Sequence, residues 1–205
     1  QDLLFTRDTV NQVDVITYPT KSRYVNQLQF VIENNRVLYP YKGALQVEQG
    51  KGFARVAFTG NYFFNYAKGG GMDVRLFAGK FFYLGDKTFI NQFETGRYHL
   101  NMTGPKGEED YTYSNYFIGR NEFEKFSSQQ IMIRDGGFKV RTDYLSNKIG
   151  KTDDWLAAAN FTSTIPKALF PFKLPLRVFV DIGTYAEAWK KNAPTARFVY
   201  DAGLQ

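Results

Sequence analysis

A chain of 205 residues is long enough to bury one sizeable core or to close a barrel, and its formal net charge is +6. The absence of cysteine excludes disulfides, thiolate catalysis and cysteine-based metal sites, and a single histidine, His99, excludes a His-Glu-x-x-His zinc motif within the chain. The basic excess is compatible with nucleic acid, anionic lipid or a basic lumen, and selects none of them.

The two ends of the chain indicate a piece of a longer protein. Gln1 is followed by neither the basic nor the apolar stretch of a signal peptide, and an alternating pattern has just begun where the sequence stops at Gln205. We therefore expect a region that is cut inside a strand at its C-terminal side. No segment approaches the roughly 18 to 20 apolar residues of a membrane helix, so contact with a bilayer would involve strands.

Alternation of apolar and polar residues predicts strands along the whole chain. The first lies at 27–33, where Leu28, Phe30 and Ile32 alternate with polar residues. Further strands are predicted at 44–49, 53–66, 72–85, 97–103, 137–144, 155–164, 175–185 and 197–203. Aromatic residues make up 18% of the chain, which favours strands over helices. About ten strands, with no amphipathic helix beyond a short one near 184–191, predict an all-β antiparallel structure.

Two architectures produce this alternation, and three features favour one of them. In a soluble barrel or sandwich the apolar faces point inward, whereas in an outer-membrane barrel they face lipid. Several predicted strands reach the ~9–11 residues that cross a bilayer, aromatic residues crowd the strand ends, and one long polar stretch, 104–130, separates strands with otherwise short connections. We predict an outer-membrane-type antiparallel β-barrel region of about ten transmembrane β-strands, with 1–205 as a single domain.

The barrel hypothesis predicts the direction of the apolar side chains. Nine residues on the apolar sides of charged strands are expected to point outward: Val56, Phe58, Phe64, Val74, Leu76, Leu100, Val140, Val178 and Val180. Lys80 does not fit, since it falls on the apolar face of its strand. We expect it to lie at the far interface or to follow a bulge near Gly79.

The opposite faces are predicted to line a basic lumen. They carry the cations Arg55, Arg75, Arg97, Lys139, Arg141 and Arg177 against the acids Asp73, Asp143 and Asp181. The surplus of cations predicts a basic interior, unless acids such as Glu122 or Glu124 on an inserted loop neutralise it.

Asp181 interrupts an otherwise apolar strand, with Gly183 two residues later on the same face. A carboxylate in a lumen requires a partner or water, and the missing side chain of Gly183 leaves space for an incoming loop. Arg120, in the stretch "YFIGRNEFEKF", can hold a carboxylate with two hydrogen bonds. The alternative partner is a cation from a neighbouring strand, Lys139 or Arg141.

No stretch of this chain predicts a catalytic residue, a metal site or a cofactor. "KGGGMD" lacks the Lys-Ser or Lys-Thr pair of a phosphate loop, and the adjacent acids of "GPKGEEDY" lack EF-hand spacing. The aromatic residues accompany aliphatic residues rather than basic ones, which argues against a nucleic-acid partner. A soluble β-barrel that binds a small apolar ligand remains the alternative from another class.

Three motifs resemble those of the surface-antigen outer-membrane barrels, which include assembly and two-partner-secretion translocators. "FVDIG" at 179–183 is similar to their Phe-x-Asp-x-Gly strand. Upstream and in the same order, "IGRNEF" resembles their loop motif, with Asn121 and Glu122 rather than glycine after Arg120, and "RDGGFKVRTD" resembles the Gly-Gly strand that follows it. The resemblance implies a translocation or assembly pore whose loop folds back inside the barrel and pairs Arg120 with Asp181.

A second resemblance covers most of the chain. The stretch 34–66, "DYTYSNYFIGRNEFEKF", "MIRDGGFKVRTD", "KIGKTDDWLAA" and "VFVDIGTYAEAWKK" are similar to the C-terminal region of large Bacteroidota zinc metallopeptidases of the gluzincin aminopeptidase class. The resemblance implies a tail, non-catalytic in itself, that anchors a metallopeptidase at the bacterial outer membrane. Its partners would be membrane lipid and the upstream domains of the same chain. No catalytic residue of that family has a matching position here.

Overall fold

The computed structural model describes the following parts of the chain in full: residues 24–66, 70–85, 99–102, 135–139, 149–165, 176–193 and 195–205. Within 1–23 it describes the backbone of four short strands, β1 (Asp2–Leu3), β2 (Thr6–Val10), β3 (Val13–Thr17) and β4 (Thr20–Lys21). Strand β1 pairs with β4, and β2 pairs with β3, both in antiparallel register. The sequence pattern does not indicate these strands, because two to five residues carry too little alternation.

A seven-stranded antiparallel sheet with the order β13-β12-β11-β8-β7-β6-β5 forms the centre of the molecule. Its strands are β5 (Val25–Asn34), β6 (Tyr41–Gly50), β7 (Phe53–Asn65), β8 (Gly71–Tyr83), β11 (Trp155–Thr164), β12 (Arg177–Tyr185) and β13 (Val199–Leu204). Two short strands, β9 (Leu100–Asn101) and β10 (Lys151–Thr152), pair with each other, and a turn of 3₁₀ helix, Ala186–Trp189, follows β12. The predicted all-β antiparallel class is confirmed. Over the segments just given, the sheet ends at β5 and β13 and does not close.

The strand boundaries follow the alternation of the sequence closely. Strand β11 begins and ends where predicted, and β7 and β8, each of 13 residues, extend over the two predicted segments. Of the strand predicted at 97–103 the structure describes residues 99–102, which include β9, and most of the strand predicted at 137–144 lies outside the described residues. Periodicity therefore predicts the long strands well, because their side chains alternate between the two faces of the sheet.

The register divides the sheet into two faces, since directly opposed residues of antiparallel strands share a face. The outer face carries exposed apolar side chains: Leu28, Phe30, Ile32, Leu45, Phe58, Tyr62, Phe64, Leu76, Phe82, Val178, Val180, Ile182, Tyr200 and Leu204. The inner face carries Glu48, Arg55, Arg75, Phe77, Phe81, Asn160, Phe179, Asp181 and Gly183. In β12 the contrast is clear, because Val180 is 44% exposed and its neighbours Phe179 and Asp181 are 6% and 0% exposed.

The core lies on the inner face. Residues from the connection between β8 and β11 pack over the sheet, with Leu100, Met102 and Phe138 against sheet residues that include Phe77 and Phe81. Two sheet glycines permit this close approach. A Cβ at Gly183 would lie 2.9 Å from Met102 Cε and 3.1 Å from Phe138 Cε1, and one at Gly79 would lie 3.1 Å from Leu100 Cδ2. The space predicted beside Gly183 is therefore filled by Met102 and Phe138.

Most of the side chains predicted to point outward do so. Val56, Phe58, Phe64, Val74, Leu76, Val178 and Val180 lie on the outer face, while Val140 lies outside the described residues. The prediction for Leu100 is wrong: it is fully buried in the core. The physical reason is that β9 does not join the main sheet but lies across its inner face, so its apolar side chain meets the core.

Lys80 lies on the outer face, and its strand contains no bulge there. The pairing of β8 with β7 and β11 runs without interruption through Gly79 and Lys80. The exposed side chain of Lys80 lies near one end of the sheet. This end, called here the lower end, holds the turn at 51–52 and the connections 84–154 and 186–198. The upper end holds the connections 35–40, 66–70 and 165–176. The bulge expected near Gly79 is therefore not present, and the alternative place for Lys80, at the far interface, stays a prediction.

Candidate functional site: a buried polar network on the inner face

Asp181 is fully buried and is the centre of a polar network. Its Oδ1 accepts hydrogen bonds from Lys139 Nζ and from Asn160 Nδ2, both at 3.0 Å, and its Oδ2 accepts one from the backbone N–H of Lys139, also at 3.0 Å. Asn160 reaches Asp181 because the two residues are directly opposed in β11 and β12. The carboxylate thus joins the sheet to the segment 135–139 through both a charge and a backbone group.

Asn160 extends the network in two further directions. Its Nδ2 also donates to the carbonyl oxygen of Gly136 at 3.0 Å, and its Oδ1 accepts from Arg75 Nη1 at 3.1 Å. The next residue, Gly137, has a φ of +69°, and a Cβ there would lie 2.5 Å from both Arg75 Nη1 and Asn160 Oδ1. Glycine is required at this position because both the backbone conformation and the space exclude a side chain.

A second buried cluster lies nearer the lower end. Arg55 Nη2 donates to Asp135 Oδ1 at 2.8 Å, and its Nη1 donates to Glu48 Oε2 at 3.5 Å. The other oxygen of Asp135 accepts the backbone N–H of Asn101 at 3.0 Å. Asp135 therefore joins three parts of the molecule, namely the sheet, β9 and the segment 135–139. Since Glu48, Arg55 and Asp135 are all buried, the ion pairs are shielded from solvent.

The cations of the network also lie over aromatic rings. Lys139 Nζ is 4.7 Å from the ring centroid of Phe179, and the guanidinium carbons of Arg55 and Arg75 are 5.8 Å and 5.7 Å from the centroids of Phe81 and Phe77. Each ring restricts the position of its cation while the carboxylates supply the charge. The arrangement is that of a polar interface between two layers.

Several predicted site residues come together, and others lie outside the described residues. Arg55, Arg75, Lys139, Asp181 and Gly183 form one inner-face region, as described above. Arg177 lies on the same face but forms an exposed ion pair with Asp73, at 3.1 Å, at the upper end. The residues outside the described set are Arg97, Arg120, Glu122, Glu124, Arg141 and Asp143. The pairing of Arg120 with Asp181 stays a prediction, whereas the alternative partner Lys139 does contact Asp181.

The sequence did not indicate three members of the network, namely Glu48, Asp135 and Asn160. Glu48 is directly opposed to Arg55 in adjacent strands, so a cross-strand charge pair was a signal that could have found it. Asp135 had no such signal, because it meets Arg55 across 80 residues of sequence. With these acids, the described cations Arg55, Arg75, Lys139 and Arg177 face four carboxylates, those of Glu48, Asp73, Asp135 and Asp181.

A cavity of about 410 Å³ lies at the upper end of the inner face. Its lining includes Lys42, Asp73, Arg75, Thr162 and Arg177. Two of its cations are paired, Lys42 with Glu33 at 3.1 Å and Arg177 with Asp73. In the part of the chain that the structure describes, no group of three or more His, Asp or Glu residues could hold a metal ion, and no helix has the length and apolar character to cross a membrane.

Comparisons with protein-family models, with curated proteins and with solved structures give no significant match to this chain.

Proposed function

We propose that this chain is a membrane-embedded region of an outer-membrane β-barrel, non-catalytic in itself, that anchors a larger metallopeptidase-like protein. The observation that carries the proposal is the contrast between the two faces of the sheet. The outer face carries exposed apolar side chains on six of its seven strands, all except β11, whereas the inner face carries the buried charges. This polarity matches a barrel in lipid and is the reverse of a water-soluble sheet, whose exposed face is polar.

The length of the strands supports a bilayer crossing. At ~3.3 Å per residue, the 13 residues of β7 or β8 extend about 43 Å. With the usual tilt of about 40° in membrane barrels, the rise along the membrane normal is about 33 Å, enough to cross the hydrocarbon core of about 30 Å. A soluble strand averages ~5–6 residues.

The exposed apolar area argues against the soluble ligand-binding barrel. Phe30, Ile32, Phe58 and Leu76 are 44% to 69% exposed and belong to one continuous face. Apolar patches beyond a few hundred Å² are rare on soluble monomers, because water disfavours them. Lipid is the partner that covers such a face on every strand at once.

A translocation or assembly pore of the surface-antigen type is the second candidate, and one contact favours it. Asp181 of "FVDIG" binds the segment 135–139, which belongs to the long connection between β8 and β11. The resemblance to those barrels implies that the loop of Arg120 is held against this aspartate, and the segment 135–139, which resembles their Gly-Gly strand, lies on the same inner face. The cover over the lower part of the inner face nevertheless supports an anchor more than an open pore.

Two arginine substitutions on β7 test the membrane placement. Phe58 is near the middle of the strand on the outer face, and Asn61 is exposed on the inner face. We expect Phe58→Arg to destabilise the vesicle-inserted form by about 2–4 kcal/mol, because arginine at the bilayer midplane is costly. Asn61→Arg is the matched control and should insert almost as well as the unchanged chain.

The measurement is the fraction of protein inserted into phosphatidylcholine vesicles, read from the shift in gel mobility between unheated and boiled samples. Equal insertion of the two variants would contradict lipid contact of the outer face. Insertion of neither the variants nor the unchanged chain would contradict the proposal as a whole.

A further inference from the structure

The lower border of the outer face carries a lysine between aromatic side chains. Lys80 on β8 is directly opposed to Trp155 on β11, so the two side chains are neighbours on this face. The Lys80 ammonium lies 5.6 Å from the ring centroid of Phe82, two residues along the same strand. Among the described outer-face residues of the seven strands, Lys80 is the one charged side chain.

A second cation and tryptophan lie at the same end of the sheet. The guanidinium carbon of Arg197 is 4.9 Å from the centroid of the Trp189 ring, which meets Phe198 edge-on at 6.0 Å. The orientation of Trp189 is fixed by a 2.7 Å hydrogen bond from its Nε1 to Thr184 Oγ1. The Thr184 hydroxyl in turn donates to the carbonyl oxygen of Arg197, also at 2.7 Å.

Lys80 with Trp155 and Arg197 with Trp189 each combine a basic side chain with an indole ring, and both pairs lie at the lower end of the sheet. Thr184 lies on the outer face, so the Trp189–Arg197 pair lies beside the lower border of that face, two strands from Lys80. Two strand spacings correspond to about 10 Å. Indole rings favour the boundary between hydrocarbon and water, and long basic side chains extend from such a boundary to polar headgroups. Both cations are exposed, and acids are absent from the described outer face.

We propose that Lys80 and Arg197, positioned by Trp155 and Trp189, bind the phosphate of anionic phospholipid headgroups at the lower border. The inference rests on the proposed membrane placement and adds the lipid class and the residues that select it. Each cation near an anionic membrane surface is expected to favour an anionic lipid about fivefold, and the two together about 30-fold.

The chain itself provides the reporter for the test. Its two tryptophans are Trp155 and Trp189, both at the proposed lipid site on the lower border. The full 205-residue chain is inserted into phosphatidylcholine vesicles that contain a small fraction of either brominated phosphatidylglycerol or brominated phosphatidylcholine. Bromine quenches tryptophan fluorescence at short range. The ratio of the two quenching curves therefore measures the enrichment of the anionic lipid at the lower border.

We expect stronger quenching by brominated phosphatidylglycerol for the unchanged chain and equal quenching by both lipids for the double variant Lys80→Gln, Arg197→Gln. The control, Lys42→Gln, removes an exposed lysine of the upper end and should keep the preference. The gel-mobility shift checks insertion of each variant.

Equal quenching of the unchanged chain by both lipids would overturn the headgroup site while leaving the membrane placement intact. Retention of the preference in the double variant would also overturn it, because the selectivity would then come from other residues. Absence of quenching by either lipid would instead overturn the membrane placement on which this inference rests.

Discussion

At the scale of single residues, burial decides how much the loss of one partner of an ion pair changes the free energy of unfolding. Asp181 and Lys139 are 0% and 9% exposed in their side chains, whereas Asp73 and Arg177 are 53% and 50% exposed. Removing one partner of a buried pair leaves an uncompensated charge away from water, but an exposed partner is readily solvated. Ion pairs between an aspartate and a basic side chain are therefore expected to contribute differently to stability at two places on the inner face.

We expect Asp181→Ala to lower the free energy of unfolding by about 3–5 kcal/mol, since Lys139 would lose its carboxylate inside the network. Asp73→Ala is the matched control and should change it by less than about 1 kcal/mol. Guanidinium unfolding in detergent micelles gives both values. Similar effects of the two substitutions would show that the network is open to solvent. A double-mutant cycle with Lys139→Ala measures the coupling of the pair directly.

At the scale of elements, the inner layer is held by close contacts with the sheet. These contacts are possible because the sheet has a glycine, Gly183, at the point of approach. Met102 and Phe138 lie against Gly183, and the segment of Phe138 also binds the sheet through Asp135 and Lys139. A backbone hydrogen bond joins the two segments, since Phe138 N–H donates to the Met102 carbonyl oxygen at 3.0 Å. Apolar contacts therefore hold both segments, and ion pairs hold 135–139 in addition.

Gly183→Ala should displace this inner layer. The added Cβ would be 2.9 Å from Met102 Cε, 3.1 Å from Phe138 Cε1 and 3.2 Å from the carbonyl oxygen of Ala157, so the layer must move. We expect a loss of about 1–3 kcal/mol, typical of overpacking, with faster amide hydrogen exchange in 99–102 and 135–139. Gly43→Ala is the control, because its Cβ meets no atom closer than 3.9 Å. Unchanged exchange in Gly183→Ala would contradict the close approach.

At the scale of the whole molecule, the balance of charge across the inner face bears on what a lumen could conduct. A surplus of cations was predicted there, but the buried acids Glu48 and Asp135 accompany Arg55. The described inner-face charges around the network are therefore nearly neutral in sum. A neutral lining gives little preference between anions and cations.

We expect weak ion selectivity if the inserted chain conducts. The measurement is the reversal potential across a planar bilayer under a potassium chloride gradient, which should be close to zero. Asp135→Asn removes one buried negative charge beside Arg55, so it should shift the reversal potential toward anion preference. A strong anion preference of the unchanged chain would contradict this prediction and would favour the basic lumen first inferred from the sequence.

The alternation in the sequence predicts the long strands of the main sheet and their two faces. In β12, Val178, Val180 and Ile182 occupy every second position, and an alternation of period two places the two sets of side chains on opposite faces of the sheet. The all-β class and the common face of Phe58, Leu76 and Val180 follow from that local rule, whereas their outward direction was predicted from the barrel hypothesis. The strand of Asp181 was likewise predictable, together with the need for a partner.

The contacts between distant segments of the chain are known from the three-dimensional fold and not from the alternation. Strand β8 pairs with β11 across the connection 84–154, and Asp135 from that connection reaches Arg55 on β7. Alternation carries no information about such contacts, because it reports the two sides of a strand and not its neighbours. Leu100 illustrates the limit: its pattern is that of a lipid-facing residue, but β9 lies over the inner face, where the same apolar side chain is buried in the core.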